Sequence, residues 1–510
     1  MGNKELKIGA LISYLQMGLG IIIGLIYTPI MIRLLGQSEY GLYSTVASTI
    51  SLLSILRLGF NNSYIRYYSK YKAREDEHKI FQLNGVFLLI FIGIGLLSLF
   101  CGIFITNHLH YVFSTGLTEN EYAIARVLMI LLTINLAISF PMSVFSNIIS
   151  ANEKYIFLKS LDAIKTVLGP MVTLPLLLAG YGSIALVAVT LVISLAVDTV
   201  FVYYVLRKLK NRFIFSIPER GMLSDLCAFT FFIALELIVD QVNWNIDKLL
   251  LARFKGTAAV AIYTVGFSLY AYYQQFSTAV SGVFTPRIHR IVNTISSPTE
   301  QRKALTELFT KVGRIQFMIL SLIATGIILF GRFFITRIWA GEAYGDSYVV
   351  ALLLILPATI ALIQNLGIEI QRAEYRHQFR SMLYFFMAAL NLGLSVILCK
   401  QYGAIGSAIG TAVALVIANG LIMNIYYHKK CNIDIIYFWK EILSLLLSVL
   451  PPFVMAICIK TFVRSESVFV FAVEILIYSI LFVLSLWQFG MKQYERDMFV
   501  NILHRLKNKS

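Results

Sequence analysis

The sequence predicts an all-α polytopic membrane protein of about fourteen transmembrane helices, and three observations carry that prediction. The 510 residues are 58% hydrophobic and only 14% charged, against roughly 45–50% and 25% in ordinary soluble domains. Lys and Arg fall on alternate inter-helical loops. A motif pattern near residue 33 returns 220 residues later and stays in register over most of the chain. A mean hydropathy of +0.76 over the whole chain is too high to come from one signal segment or anchor. Met1–Lys7 is short and polar and runs into apolar sequence without a small-residue cleavage site, so it reads as an uncleaved N-terminus.

A span needs about 20 mostly apolar residues. Such segments lie near 8–33, 41–69, 81–106, 122–150, 155–180, 183–207 and 222–252. They continue near 258–285, 305–331, 347–372, 376–402, 404–430, 436–461 and 466–490. Several are separated by a few residues only, as at Gly180–Gly182 and Gln401–Gly403, which forces antiparallel neighbours. If this layout holds, basic residues should concentrate on one face. They divide 29 to 8 between the two sets of loops, with the other 6 of the 43 inside spans. The basic set includes Arg66 to Lys79, Arg207 to Arg220, Arg287 to Lys303 and the tail from Lys492. This phasing predicts that both termini are cytoplasmic, and it accounts for the net charge of +16 without nucleic acid.

The repeat sets the domain plan. Gly36 and Tyr43 correspond to Gly256 and Tyr263, and Tyr181-Gly182 corresponds to Tyr402-Gly403. Glu153, Lys159 and Ser160 correspond to Glu374, Arg380 and Ser381. Two copies of six helices share one orientation, giving lobes over 1–217 and 218–430. Helices thirteen and fourteen follow over 431–491, and a basic cytoplasmic tail over 492–510. Parallel repeats of this kind commonly enclose a substrate path, so the repeat points to a transporter.

Five cysteines are scattered without paired spacing, which argues against a disulfide framework and a zinc site. All seven histidines fall in loops or at helix ends. No G-x-x-x-x-G-K-[ST] occurs, so ATP hydrolysis is not expected. No catalytic residue, metal or cofactor is expected, and the chain does not read as an enzyme. Gly18, Gly20 and Gly24 sit inside an apolar span, where close helix packing is the better reading.

Charges inside spans are the informative residues, because each costs roughly 2.5–3.5 kcal/mol or more at the bilayer centre unless it meets a partner or a wet cavity. Arg57 is placed near the middle of helix two, with Asn61 at i+4 and Arg66 nearer the cytoplasmic end. A guanidinium stays charged and forks onto phosphate oxygens, which suits an anionic lipid headgroup; the alternative is an Arg paired with a nearby carboxylate. Helix seven carries Glu236, Asp240, Asn243 and Asp247 at spacings that share one face. That stripe is either a site for H+ or Na+ as coupling ion or a counter-charge to Arg57 or Lys248. Asp162, Lys165 and Asp198 read as a local salt-bridge cluster rather than a substrate site. Gln364, Asn365, Glu369 and Arg372 form an inner gate or an interface. Pro286-Arg287 is a helix stop or a matching inner anion contact, and Glu474 is isolated and has no assigned role.

Arg33-Leu-Leu-Gly36 with Gly41-Leu-Tyr43, Leu58-Gly59-Phe60 with Arg66-Tyr67, and Asp247-Lys248-Leu-Leu-Leu251 with Ile262-Tyr263 stand in this order along the chain. Phe284-Thr-Pro286-Arg287 and Tyr402-Gly403-Ala-Ile-Gly406 complete the set. In these motifs and their spacing the chain resembles the polysaccharide-transporter branch, the Wzx-like oligosaccharide flippases, of the multidrug/oligosaccharidyl-lipid/polysaccharide exporter superfamily. The resemblance implies a V-shaped, two-lobe fold like that of the multidrug exporters. It implies movement of undecaprenyl-pyrophosphate-linked O-antigen or capsule repeat units across the bacterial inner membrane by alternating access. It also implies cavity cations on the pyrophosphate, matched here at Arg57 and then Arg66. Membrane lipids and the polymerase and chain-length regulator of the same pathway are the implied partners. Many relatives carry an acidic residue where this chain has Arg57, a departure that moves any coupling-ion site to helix seven.

Three other readings compete. A drug–cation antiporter of the superfamily would have twelve helices and an acidic cavity without a central Arg. A peptidoglycan-precursor lipid flippase would share the topology. An integral-membrane polysaccharide polymerase would need a catalytic carboxylate or His on a sizeable outer loop, and the longest, Asn107–Glu121, is too small.

Overall fold

The computed structural model describes the backbone of residues 2–57, 60–113, 117–215, 220–374, 376–462, 467–497 and 500. It describes their side chains except at 2–11, 62, 111, 112, 220–236, 377, 461 and 462. The described residues are predominantly helical, and none of them is in a strand. The first half runs α1 (Gly2–Leu53), a 3₁₀ turn (Ser54–Arg57), α2 (Phe60–Lys72), α3 (Glu77–Asn107), α4 (Leu109–Val112), α5 (Glu119–Ala151), α6 (Tyr155–Leu178) and α7 (Gly182–Tyr203). The chain continues with α8 (Arg220–Lys255), α9 (Thr257–Gly282), α10 (Thr285–Thr294), α11 (Pro298–Phe333), α12 (Gly345–Ile363) and α13 (Leu366–Ala373). It ends with α14 (His377–Leu415), α15 (Met423–Lys429), α16 (Ile435–Phe462) and α17 (Val468–Ser485).

Among the described residues, ten helices are long and apolar enough to cross a membrane, fewer than the fourteen segments read from sequence. Two of the ten, Ile12–Arg57 and Gln378–Lys429, run 46 and 52 residues, far beyond the roughly 20 that one crossing needs. Each is broken inside, at Gly36 (φ 74°) and at Gly403 (φ 58°). Helices α8 and α9 are not among the ten, consistent with the polar stripe of α8 and the Tyr270–Gln275 run of α9. Apolar side chains such as Phe100 (69% exposed) and Leu447 (68% exposed) face outward. In a soluble protein such surface would be an aggregation liability; against lipid tails it is solvated.

The repeat is visible in the backbone. Gly36 and its counterpart Gly256 have φ of 74° and 83°, and Gly182 and its counterpart Gly403 have φ of 61° and 58°. Left-handed backbone of this kind is disfavoured for residues with a Cβ, which explains why glycine recurs at these turns. Gly41 has a different reason: a Cβ there would lie 1.9 Å from the carbonyl oxygen of Thr257. Only glycine lets the second segment of α1 approach the start of α9 so closely.

The chain divides into two compact units, one of residues 1–264 with 381–411, the other of 265–380 with 412–510. The second sequence copy therefore contributes α8, the start of α9 and much of α14 to the first unit. That unit's core is aromatic: Tyr64, Phe87, Phe91 and Phe140 are fully buried, and Tyr64 meets Phe87 edge-on at 5.2 Å. Helix ends are satisfied by side chains. Thr118 and Glu121 form a capping box at α5, and the Glu39 carboxylate accepts from the Ser183 amide (2.6 Å) at the start of α7. In the second unit, α11, α16 and α17 pack together. The fully buried Arg314 there forks onto Glu495 at 2.8 and 2.9 Å and reaches Glu441 at 2.9 Å.

Candidate functional site

Arg57 ends the 3₁₀ turn that follows α1, so helix two is interrupted where the sequence placed its middle. The two residues between it and α2, Leu58 and Gly59, lie outside the described residues, and with them the expected i, i+4 relation of Arg57 to Asn61. Both side chains instead address α5. Arg57 Nη2 donates to Ser139 Oγ at 3.4 Å, and the guanidinium lies 5.4 Å from the Phe140 ring centre. Asn147 Nδ2 donates to Asn61 Oδ1 at 3.0 Å. Arg57 is half-buried, its Nε has no hydrogen-bond partner, and among the described residues no carboxylate pairs with it. Among the described side chains the carboxylate-paired alternative finds no partner; the Glu236 side chain lies outside them. A hydroxyl and a ring face do not neutralise a guanidinium. Arg66, on α2, is exposed and makes polar interactions of its own.

The acidic stripe of α8 separates by environment. The Glu236 side chain lies outside the described residues. Asp240 is exposed and engaged in a polar interaction, and Asn243 is half-buried. Asp247 is fully buried. Tyr263 and Thr411 each donate a hydroxyl to its Oδ2 at 2.8 Å, while its Oδ1 has no partner. Lys248, next in sequence, adds Coulombic attraction to it.

Around Asp247 lies a cluster that sequence reading missed. On α14, Asn391, Ser395, Ser407 and Thr411 are all buried beside it. The single Thr411 proton lies within reach of Asp247 Oδ2, of Asn391 Oδ1 (3.3 Å) and of the Ser407 carbonyl oxygen (3.4 Å). The Ser395 proton is shared in the same way between Asn391 Oδ1 (3.1 Å) and the Ser407 carbonyl (3.5 Å). Asp247 Oδ1, Asn391 Nδ2 and Ser407 Oγ are all buried in this cluster without a hydrogen-bond partner, in a place where unpaired polar groups are costly. A buried carboxylate with one free oxygen among hydroxyls suits a proton or a small hard monovalent cation. The available signal was the i, i+4 spacing of Asn391–Ser395 and Ser407–Thr411 on one helix, but these residues lie 144 to 164 positions from Asp247.

In the first repeat copy Tyr27 stands at the position of Asp247, beside Tyr43 and Thr173. The scaffold is repeated; the carboxylate is not.

The other expected residues are placed as follows. Asp162 pairs with Lys159 at 3.3 Å rather than with Lys165. Lys165 donates to Ser194 at 2.7 Å and acts electrostatically on Asp198. Glu369 pairs with Arg372 at 2.9 Å on α13. Asn365 donates to Ser281 at 2.8 Å, and Gln364 donates to Asn424 at 2.8 Å. Glu474 is not isolated, because Lys460 lies within electrostatic range of it. Arg287 lies in the second unit, on a cleft with Arg290 and Lys311.

These features define a multi-pass helical membrane protein with an internal repeat and membrane-buried charges, a transporter architecture. A family of polysaccharide biosynthesis proteins matches residues 7–292, and the chain belongs to that family. No curated protein matches the sequence. Among solved structures, the lipid II flippase MurJ in an inward closed conformation is similar at TM-score 0.71 and 16% identity, covering 94% of this chain and 97% of that one. An inward-facing multidrug resistance MATE family transporter is similar at TM-score 0.62 and 14% identity, over 85% and 98%. A multidrug/oligosaccharidyl-lipid/polysaccharide superfamily transporter from Pyrococcus furiosus follows at 0.54 and 15%, over 86% and 96%. At these identities the likeness establishes a shared fold: this chain has the architecture of flippases and exporters of that superfamily.

Proposed function

We propose that this protein moves polyprenyl-pyrophosphate-linked oligosaccharide repeat units from the cytoplasmic to the outer leaflet of a bacterial inner membrane, by alternating access, for O-antigen or capsule synthesis. The family match supports a role in polysaccharide biosynthesis, and the fold supports transport. The observation that carries the choice of substrate is Arg57, a half-buried guanidinium in the membrane region that has no carboxylate partner among the described residues. In this reading Arg57 holds the pyrophosphate, Arg66 lies on its path, and Asn61 and Asn243 line the polar route. Both termini are cytoplasmic, as the basic loops predict. The polymerase and chain-length regulator of the same pathway receive the product.

Transport is coupled to Na+ or H+ at Asp247. The support is the buried Asp247 carboxylate, which takes hydroxyls from Tyr263 and Thr411 on one oxygen and has the other oxygen unpaired. Loading neutralises the carboxylate and satisfies Oδ1; release leaves a buried charge. A cycle that alternates between these states has a free-energy difference of the size needed to bias a conformational equilibrium.

The test is Arg57→Ala and Arg57→Lys in cells that depend on the gene, with protein level and surface polysaccharide measured together. A hydrogen-bonded charged contact contributes about 1.5–3 kcal/mol, so Arg57→Ala should lower transport by about 10- to 100-fold and Arg57→Lys by less. Normal surface polysaccharide in Arg57→Ala at normal protein level would remove Arg57 from the substrate path.

A further inference from the structure

The second unit has an open cleft of about 670 Å³ between α10 and the first turns of α11, within the size range of ligand sites. Its rim carries Arg287 and Arg290 on α10 and Lys311 on α11, with Glu307 as the one carboxylate. Three cations and one carboxylate leave two net positive charges. Arg287 and Arg290 are exposed, and among the described residues neither has an ion-pair partner. Glu307 shares the cleft without bridging either of them. The floor is apolar, with Ile291 and the buried Leu308, and Val283 at its edge is 60% exposed.

The setting is the boundary of the membrane. Helix α10 is amphipathic: Ile288 is fully buried while Arg287, His289 and Arg290 point to solvent. It joins the end of α9 to the polar start of α11, whose apolar stretch crosses the membrane. A short helix with an apolar underside and arginines above it suits the headgroup layer. Forked guanidiniums suit phosphate oxygens, and the apolar floor suits the glycerol and first acyl carbons attached to that phosphate. Inorganic phosphate would use the rim and leave the floor empty.

We propose that this cleft binds the phosphodiester headgroup of an anionic phospholipid. It connects to the end of the chain. The Lys311 ammonium lies 4.3 Å from the Tyr494 ring centre, and the Tyr494 hydroxyl donates to Glu495 at 2.7 Å. Glu495 is the buried partner of Arg314, three residues beyond Lys311 on α11. A lipid phosphate drawing on Lys311 competes with its contact to Tyr494, so the site reports lipid occupancy to the C-terminal segment.

The test uses the purified full-length chain in non-ionic detergent, with phosphatidylglycerol, phosphatidylcholine and inorganic phosphate titrated separately and binding read by native mass spectrometry. Each basic residue near an anionic lipid contributes about a five-fold factor. Arg287→Gln/Arg290→Gln should therefore weaken phosphatidylglycerol roughly 25-fold by the same factor and leave phosphatidylcholine unchanged. Arg287→Lys/Arg290→Lys, which keeps both charges, should retain most of the binding and exclude misfolding as the cause. Equal binding of the two lipids, or wild-type phosphatidylglycerol affinity in the Gln variant, would overturn the site. Inorganic phosphate binding as tightly as phosphatidylglycerol would overturn the lipid assignment.

Discussion

Asp247 and Arg57 present opposite problems for a membrane. Asp247 is fully buried and meets hydroxyls, and one of its oxygens is unpaired. Arg57 meets a hydroxyl and a ring face. Among the described residues neither charge has an ion-pair partner within reach, and in the function proposed above each is the place of a ligand that comes and goes. For Asp247 the expected variant is Asp247→Asn, which keeps the shape and removes the charge. Its ion dependence should weaken by about ten-fold or more, the scale of one lost charged contact. Transport by reconstituted protein should then be nearly equal with and without an imposed Na+ or H+ gradient. A gradient response as large as that of the wild type would exclude Asp247 as the coupling site. Both residues were legible in the sequence because intramembrane charge is rare. Which of the α8 acids matters was not legible, since spacing cannot say which side chain is enclosed. Asp240, central in the stripe, is exposed; Asp247, near its end, is buried.

At the scale of elements, the repeat was the most readable feature because it rests on backbone sterics. Glycines that recur at one spacing have the same positive φ in both copies. The interruption of helix two at Ser54–Arg57 was not readable, because Ser-Ile-Leu-Arg carries no proline or glycine to mark it. Nor was the strap formed by Glu495, which lies 181 residues from Arg314 and becomes its neighbour only in three dimensions. Burial alone would raise the Glu495 carboxyl, but the hydrogen bonds from Arg314 and Tyr494 hold it below its ordinary value of 4.5. A carboxyl lowered on folding stabilises the fold above its unfolded-state value, and that contribution is lost as pH falls through the folded-state value. Removing one partner of a buried pair costs about 3–5 kcal/mol. Glu495→Gln should therefore lower the melting temperature of the purified protein at pH 7. The gap to wild type should narrow as pH falls below 4.5. A gap that stays constant into the acid range would mean that the carboxylate charge contributes nothing there.

For the whole molecule, the account joins a repeated scaffold to charges that are not repeated. Asp247 corresponds to Tyr27, and Arg57 to Ser277. The likeness to flippases and exporters of one superfamily is a likeness of scaffold, and it leaves the cargo to the residues that differ. The most direct measurement is leaflet transfer by the purified full-length chain in vesicles holding a polyprenyl-pyrophosphate oligosaccharide, followed by the exposure of the sugar to an added glycosidase. The account predicts that wild-type protein exposes the sugar well above the rate of protein-free vesicles, and that Arg57→Ala falls close to that background. Folded wild-type protein that moves this lipid no faster than protein-free vesicles would contradict it.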